Sequence, residues 1–262
     1  MKKTLIALAV AASAAVSGSA MAWAPNGTSG SVNLGGTLNP TKLDTPWEVK
    51  VGAAVNGLDA NIRKGDTKVN VLVKNAIPVL GIRTIESTAF AGKTSIAPQI
   101  KFNGAVSELN NLADANDAVL TLDVTDGVNK IGKMVAPFIA AAQYSVAGPA
   151  ANTVYKSMYA SSSTGAFHGG LAAVKGSVQE ALSDRVAALD SEFKAHFDEQ
   201  GVSSIASVSG ANGFANTEHT YSAWYGSGIE KDKTITITLD QAASGDAPIQ
   251  WNASLPITIS YQ

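Results

Sequence analysis

Short runs in which apolar and polar residues alternate recur through this chain, and the last of them constrains the fold most. In LPITISYQ, Leu255, Ile257, Ile259 and Tyr261 fall on one face of an extended strand, and one residue follows them. A strand with one apolar face needs a sheet and a facing layer to bury it. A second run lies near the other end, in WAPNGTSGSVNLGGTLNP (residues 23–40), where Val32, Leu34, Gly36 and Leu38 share a face. No sequence remains after Tyr261 for a further closing strand, so the unassigned strand is at the start of the chain. The sheet that buries it belongs either to this molecule or to the next copy.

The first 22 residues read as a leader. Lys2 and Lys3 precede a short apolar run from Leu5 to Val16, and Ala20 and Ala22 supply the small residues of a cleavage site. That run falls short of the ~20 residues needed to span a bilayer, so the expectation is an exported, soluble chain cleaved after Ala22. Cleavage removes two of the 19 basic side chains and none of the 21 acidic ones. The resulting mild acidity argues against nucleic acid and anionic membranes as partners. The chain has no cysteine, which excludes disulfide staples, thiol catalysis and thiolate metal sites.

Strand-like alternation begins at WEVKV, with Trp47, Val49 and Val51 on one face, and continues in KVNVLVK, IPVLGI, APQIKFN and AVLTLDV. Asp126-Gly127 then signals a turn, after which KIGKMVAPFI returns as a partner. Pro78, Pro98 and Pro137 mark strand ends, bulges or edges. From about 140 to 209 the chain becomes rich in alanine, serine and glycine. There Leu171, Val174, Val178, Leu182, Val186, Leu189, Phe193 and Phe197 recur at helical spacing. Alternation resumes in EHTYSAWY, TITITL and LPITISY. The pattern predicts an all-β domain over residues 41–262, interrupted by a helical insertion at about 140–209 whose apolar stripe packs on the sheet.

No catalytic constellation emerges. His168, His196 and His219 stand apart and outside any H-E-x-x-H pattern, no G-x-S-x-G elbow is present, and the glycine runs lack the lysine and spacing of a phosphate loop. His196, Asp198 and Glu199 in HFDEQ read as a solvated helix end rather than a metal site. Neither an enzyme, a metal nor a cofactor is expected.

Three passages carry a resemblance to a known family. The leader followed by NGTSGSVNLGG, the PWEVKVG strand, and DKTITITLDQAASGDAPIQWNASLPITISYQ resemble the major subunit of FaeG-type fimbriae, the kappa class of chaperone-usher fimbriae. Val49 stands where that family carries a second tryptophan, and the likeness thins inside the insertion. The resemblance implies an incomplete immunoglobulin-like sandwich, completed first by a periplasmic chaperone and then by donor-strand exchange. In that exchange Val32, Leu34, Gly36 and Leu38 of one copy would enter the groove beside Leu255, Ile257, Ile259 and Tyr261 of the next. It implies an outer-membrane usher, export through the periplasm, and a cell-surface fimbrium that adheres to a host glycoconjugate. Tyr144, Tyr155, Tyr159, Phe167 and His168 are the candidate receptor residues, since aromatic rings pair an apolar body with a polar handle; packing in the core is the competing role for each. A purely structural or minor subunit is the nearest alternative. An outer-membrane β-barrel and a secreted hydrolase are more distant, disfavoured by the helical insertion and by the lack of a site.

Overall fold

The computed structural model describes residues 34–39, 44–107, 109, 118–149, 151–178, 180–202 and 207–262. The expected leader and Val32 lie outside them. The chain divides into two units, residues 1–43 and 44–262. In the first, residues 34–39 have no regular secondary structure and are exposed.

The second unit is an all-β, immunoglobulin-like sandwich. Its strands are β1 (Trp47–Val51), β2 (Lys68–Leu72), β3 (Ile77–Thr84), β4 (Phe90–Ala91), β5 (Pro98–Lys101), β6 (Val106–Ser107) and β7 (Ala118–Thr125). Then follow β8 (Lys130–Gly148), β9 (Ala151–Tyr159), β10 (Ser207–Gly210), β11 (Thr220–Ile229), β12 (Thr234–Leu239), β13 (Asn252–Ala253) and β14 (Thr258–Tyr261). Among the described residues one α-helix, α1 (Glu180–Ala187), lies between β9 and β10.

The 19-residue β8 organises the molecule. Its first part pairs with β7 and β12, and its second part pairs with β9 and β11. One layer therefore runs β1-β3-β11-β8-β9-β10, and the other runs β2-β12-β8-β7, with β6 and β13 on β7. Pro137 falls between the last β12 partner, at Val135, and the first β11 partner, at Ile139. Pro137 is paired with Val119 of β7 on one side, and a residue without an N–H is tolerated because the other side of β8 has no partner at that point. Pro78 stands at the bulge opposite Ser227 and Gly228, and Pro98 opens β5, so all three prolines occupy the expected kinds of position. Between the layers Val71, Leu80, Ile82, Leu120, Phe138, Tyr225, Ile235 and Ile237 share one hydrophobic core.

The expected helical insertion is shorter than its sequence suggests. Residues up to Gly148 continue β8, and Ala151–Tyr159 forms β9. Ala140, Ala141 and Ala142 are all buried, so this stretch is covered on both faces and the period-two signal disappears. Of the apolar stripe, only Leu182 and Val186 lie in α1; Phe193 sits in a 3₁₀ turn, Ser191–Phe193. Leu171, Leu182, Val186, Leu189 and Phe193 are nonetheless buried, while Val174 is exposed. They cover the outer face of the β3-β11-β8 layer where it has no side chains of its own. A Cβ at Gly81 or at Gly226 would lie 2.5 Å from Phe193 ring carbons.

Candidate strand-accepting groove

β12 and the C-terminal segment share a sequence pattern and differ in what surrounds them. β12 has β8 on one side and β2 on the other, and Ile235 and Ile237 are 1% and 2% exposed. From Trp251 to Gln262 burial alternates without a break, but the inward set, Trp251, Ala253, Leu255, Ile257, Ile259 and Tyr261, is only half-buried. Among the described residues β14 pairs with β5 alone.

The hydrogen bonds define which edge is open. Gln262 and Ala97 exchange both backbone bonds, at 3.0 and 3.1 Å, whereas the Ile100 N–H donates away from β14 to the His168 carbonyl at 2.9 Å. In an antiparallel pair bonded residues alternate, so the N–H groups of Ile259 and Tyr261 face the unpaired edge, with no partner among the described residues. On the far side, among the described residues, β1 pairs only with β3. Trp47 is buried, with its indole Nε1 donating to the Ile96 carbonyl at 2.6 Å, yet Val49 and Val51 on the same face are exposed.

Between these edges lies an open groove of about 1160 Å³, floored by Ile77, Val79, Leu120, Leu122, Met134, Ile229 and Ile235 and flanked by Trp251, Leu255 and Ile257. Residues 53–62 border it and make no hydrogen bond with any described residue. The arrangement offers unpaired backbone groups beside a trough with an apolar floor, which is what an added β-strand requires. Burial raises the pKa of the Tyr261 hydroxyl above the usual phenol range, against a hydrogen bond with Thr45.

The candidate receptor residues divide. Phe167 is fully buried, with its ring 5.9 Å from Trp47 and 5.5 Å from Tyr225. Tyr144 is buried against Phe214, and Tyr155 is buried with its hydroxyl donating to Gln143 Oε1 at 2.8 Å. All three are packed against other side chains and expose little surface. Tyr159 and His168 are half-buried. The HFDEQ cluster is not a solvated helix end: His196 Nδ1 lies 2.8 Å from the Thr84 carbonyl, and Asp198 accepts from the Ala89 and Gln200 amides. It pins the insertion to the sheet. Sequence reasoning missed residues 53–62, which lack alternation, and the ion cluster around Arg83, whose members are scattered along the chain.

A family model described as "Fimbrial, major and minor subunit", the K88 fimbrial family, matches residues 1–262. The chain belongs to the K88 fimbrial family. It is 32% identical to the K88 fimbrial proteins AB, AD and AC of Escherichia coli, in each case over 100% of both chains. This K88-family chain is thus a subunit of a cell-surface fimbrium. Among its described residues no helix is long and apolar enough to cross a membrane.

Proposed function

We propose that this K88-family subunit polymerises by donor-strand exchange. Residues 1–22 are a leader removed on export through the periplasm, residues 23–40 are the donated strand, and residues 41–262 form the accepting domain. The single observation that carries the reading is the unbroken alternation of half-buried and exposed residues from Trp251 to Gln262 beside an apolar groove. Leu34 and Leu38, 93% and 96% exposed, are the kind of side chains that such a groove takes in. Burying Val32, Leu34 and Leu38 at ~1.5–3 kcal/mol each contributes roughly 5–9 kcal/mol beyond the backbone bonds. Gly36 leaves room where the acceptor backbone comes close. Before assembly a periplasmic chaperone covers the same edge, and an outer-membrane usher is the site of exchange.

Adhesion to a host glycoconjugate is the second part of the reading. Burial of Tyr144, Tyr155 and Phe167 favours a purely structural subunit as its rival, and leaves Tyr159 and His168 as the accessible aromatic candidates. The polymerisation reading is tested with Leu34→Arg, which places an unpaired charge in an apolar groove. Expressed alone, that subunit should accumulate without fibres while still accepting a wild-type strand. A wild-type copy of residues 23–40 grafted after Gln262 should give a stable monomer. Normal fibres from Leu34→Arg would remove the segment from the donor role.

A further inference from the structure

Asparagine followed by glycine is a chemically labile pair, because glycine has no side chain to shield its backbone nitrogen from the asparagine amide. The chain carries the pair at Asn26, Asn56, Asn103 and Asn212, and Asn26 lies outside the described residues. The other three differ in how they are held. Asn103 sits in a turn closed by the Ala105 amide, which donates to the Phe102 carbonyl at 2.9 Å, and its Nδ2 donates to the Pro256 carbonyl at 3.1 Å. Asn212 is half-buried, with its Oδ1 accepting from the Phe214 amide at 2.7 Å and its carbonyl accepting from the Ala166 amide at 3.2 Å. Asn56 and Gly57 are exposed, and neither makes a hydrogen bond with any described residue.

The contrast follows from the local structure. The Gly52 amide donates to the Val79 carbonyl at 2.9 Å, and the Gly65 amide donates to the Ala243 carbonyl at 2.8 Å. Residues 53–62 hang between these two clamps along the border of the groove, where Leu58 packs against the core. Gly57 has φ +76°, a left-handed backbone that favours glycine. A Cβ built on it would meet nothing within 4 Å, so its nitrogen is open to solvent. Backbone without hydrogen bonds and with few packed side chains samples other conformations at little cost, and that freedom lets the Gly57 nitrogen reach Asn56 Cγ.

We propose that Asn56-Gly57 is a site of spontaneous deamidation on the lip of the strand-accepting groove. The Gly57 nitrogen gives its proton to solvent and attacks Asn56 Cγ. The new N–Cγ bond closes a five-membered succinimide, the Cγ–Nδ2 bond breaks, and ammonia leaves with a proton. One water then opens the ring at either carbonyl, leaving an aspartyl or an isoaspartyl residue at position 56. Water enters, ammonia departs, and nothing is oxidised or reduced. Val51, Val55 and Ile249 are exposed apolar residues of the same groove, and a carboxylate among them opposes entry of an apolar strand. A subunit left open thus marks itself and accepts a strand less readily. This consequence rests on the strand-exchange reading, whereas the modification does not.

Peptide mapping by mass spectrometry, on full-length subunit incubated at neutral and mildly alkaline pH, tests the site. The Asn56 peptide should exchange amide for acid roughly tenfold faster than the Asn103 and Asn212 peptides of the same sample, since those must first break their hydrogen bonds. Its rate should rise with pH, and Gly57→Ala should slow it several-fold. Equal rates at the three positions, or an Asn56 that stays intact, would overturn the site without recourse to any variant. Uptake of a peptide of residues 23–40 tests the consequence: Asn56→Asp should take it up several-fold more slowly than wild type, and Asn56→Gln at the wild-type rate. Equal uptake by Asn56→Asp would overturn the self-marking role and leave the modification. Failure of wild type to take up the peptide at all would instead count against strand exchange, and with it the consequence.

Discussion

TITITL and LPITISY are near copies as sequences, and the molecule treats them differently. Ile235 and Ile237 of the first are sealed into the core, whereas Ile257 and Ile259 of the second are half-buried. Propensity and pattern do not account for the difference, because both segments alternate β-branched residues with small polar ones. The cause is the number of neighbours: β12 has a strand on each side, and β14 has one. A strand's burial is thus a property of the sheet it joins, and an alternating strand left half-buried marks the place where a strand is missing.

The sharpest way to break this comparison is to put a charge at equivalent positions. Ile237→Asp places an unpaired carboxylate in a closed core and should unfold the subunit whether or not a strand is supplied. Ile257→Asp should cost less in the open subunit, because water still reaches the site, yet should abolish fibre assembly and lead to degradation in the periplasm. Equal loss of stability in the two variants, measured by urea unfolding with and without a grafted strand, would erase the distinction.

Truncation should sharpen it. Ile237→Ala should cost about 2–5 kcal/mol in either state. Ile257→Ala should cost well under that in the open subunit and approach it once a strand covers the groove. A state-independent cost at Ile257 would mean that its pocket is already complete.

The layout of strands was legible in the sequence wherever one face is buried and the other wet, as in β2, β7 and β12. It failed from Ala140 onward, where burial on both faces replaces alternation with a run of alanines that mimics a helix. The groove was legible only as an excess of strands over sheets, one at each end of the chain. The receptor candidates were the weakest part, since an aromatic ring that packs in a core and one that meets a sugar look alike in sequence. Phe167 packs against Trp47 and Tyr225, and the ion cluster at Arg83 joins residues more than 100 positions apart, Arg83 and Glu192.

A smaller effect should be seen at Tyr261. Its phenol is held above the usual pKa by burial, so its contribution to stability is present below the unfolded value and is lost as pH rises through the folded one. A strand in the groove buries it further and should move the spectrophotometric titration upward. No movement on strand uptake would place Tyr261 outside the acceptor edge.

The most direct measurement is amide hydrogen exchange at Ile259 and Tyr261, whose N–H groups face the unpaired edge of β14. In the open subunit both should exchange far faster than Thr258 and Ser260, which pair with β5. With residues 23–40 grafted after Gln262, all four should become protected together. Ile259 and Tyr261 amides already protected in the open subunit, or still unprotected beside the grafted strand, would contradict strand addition at this edge.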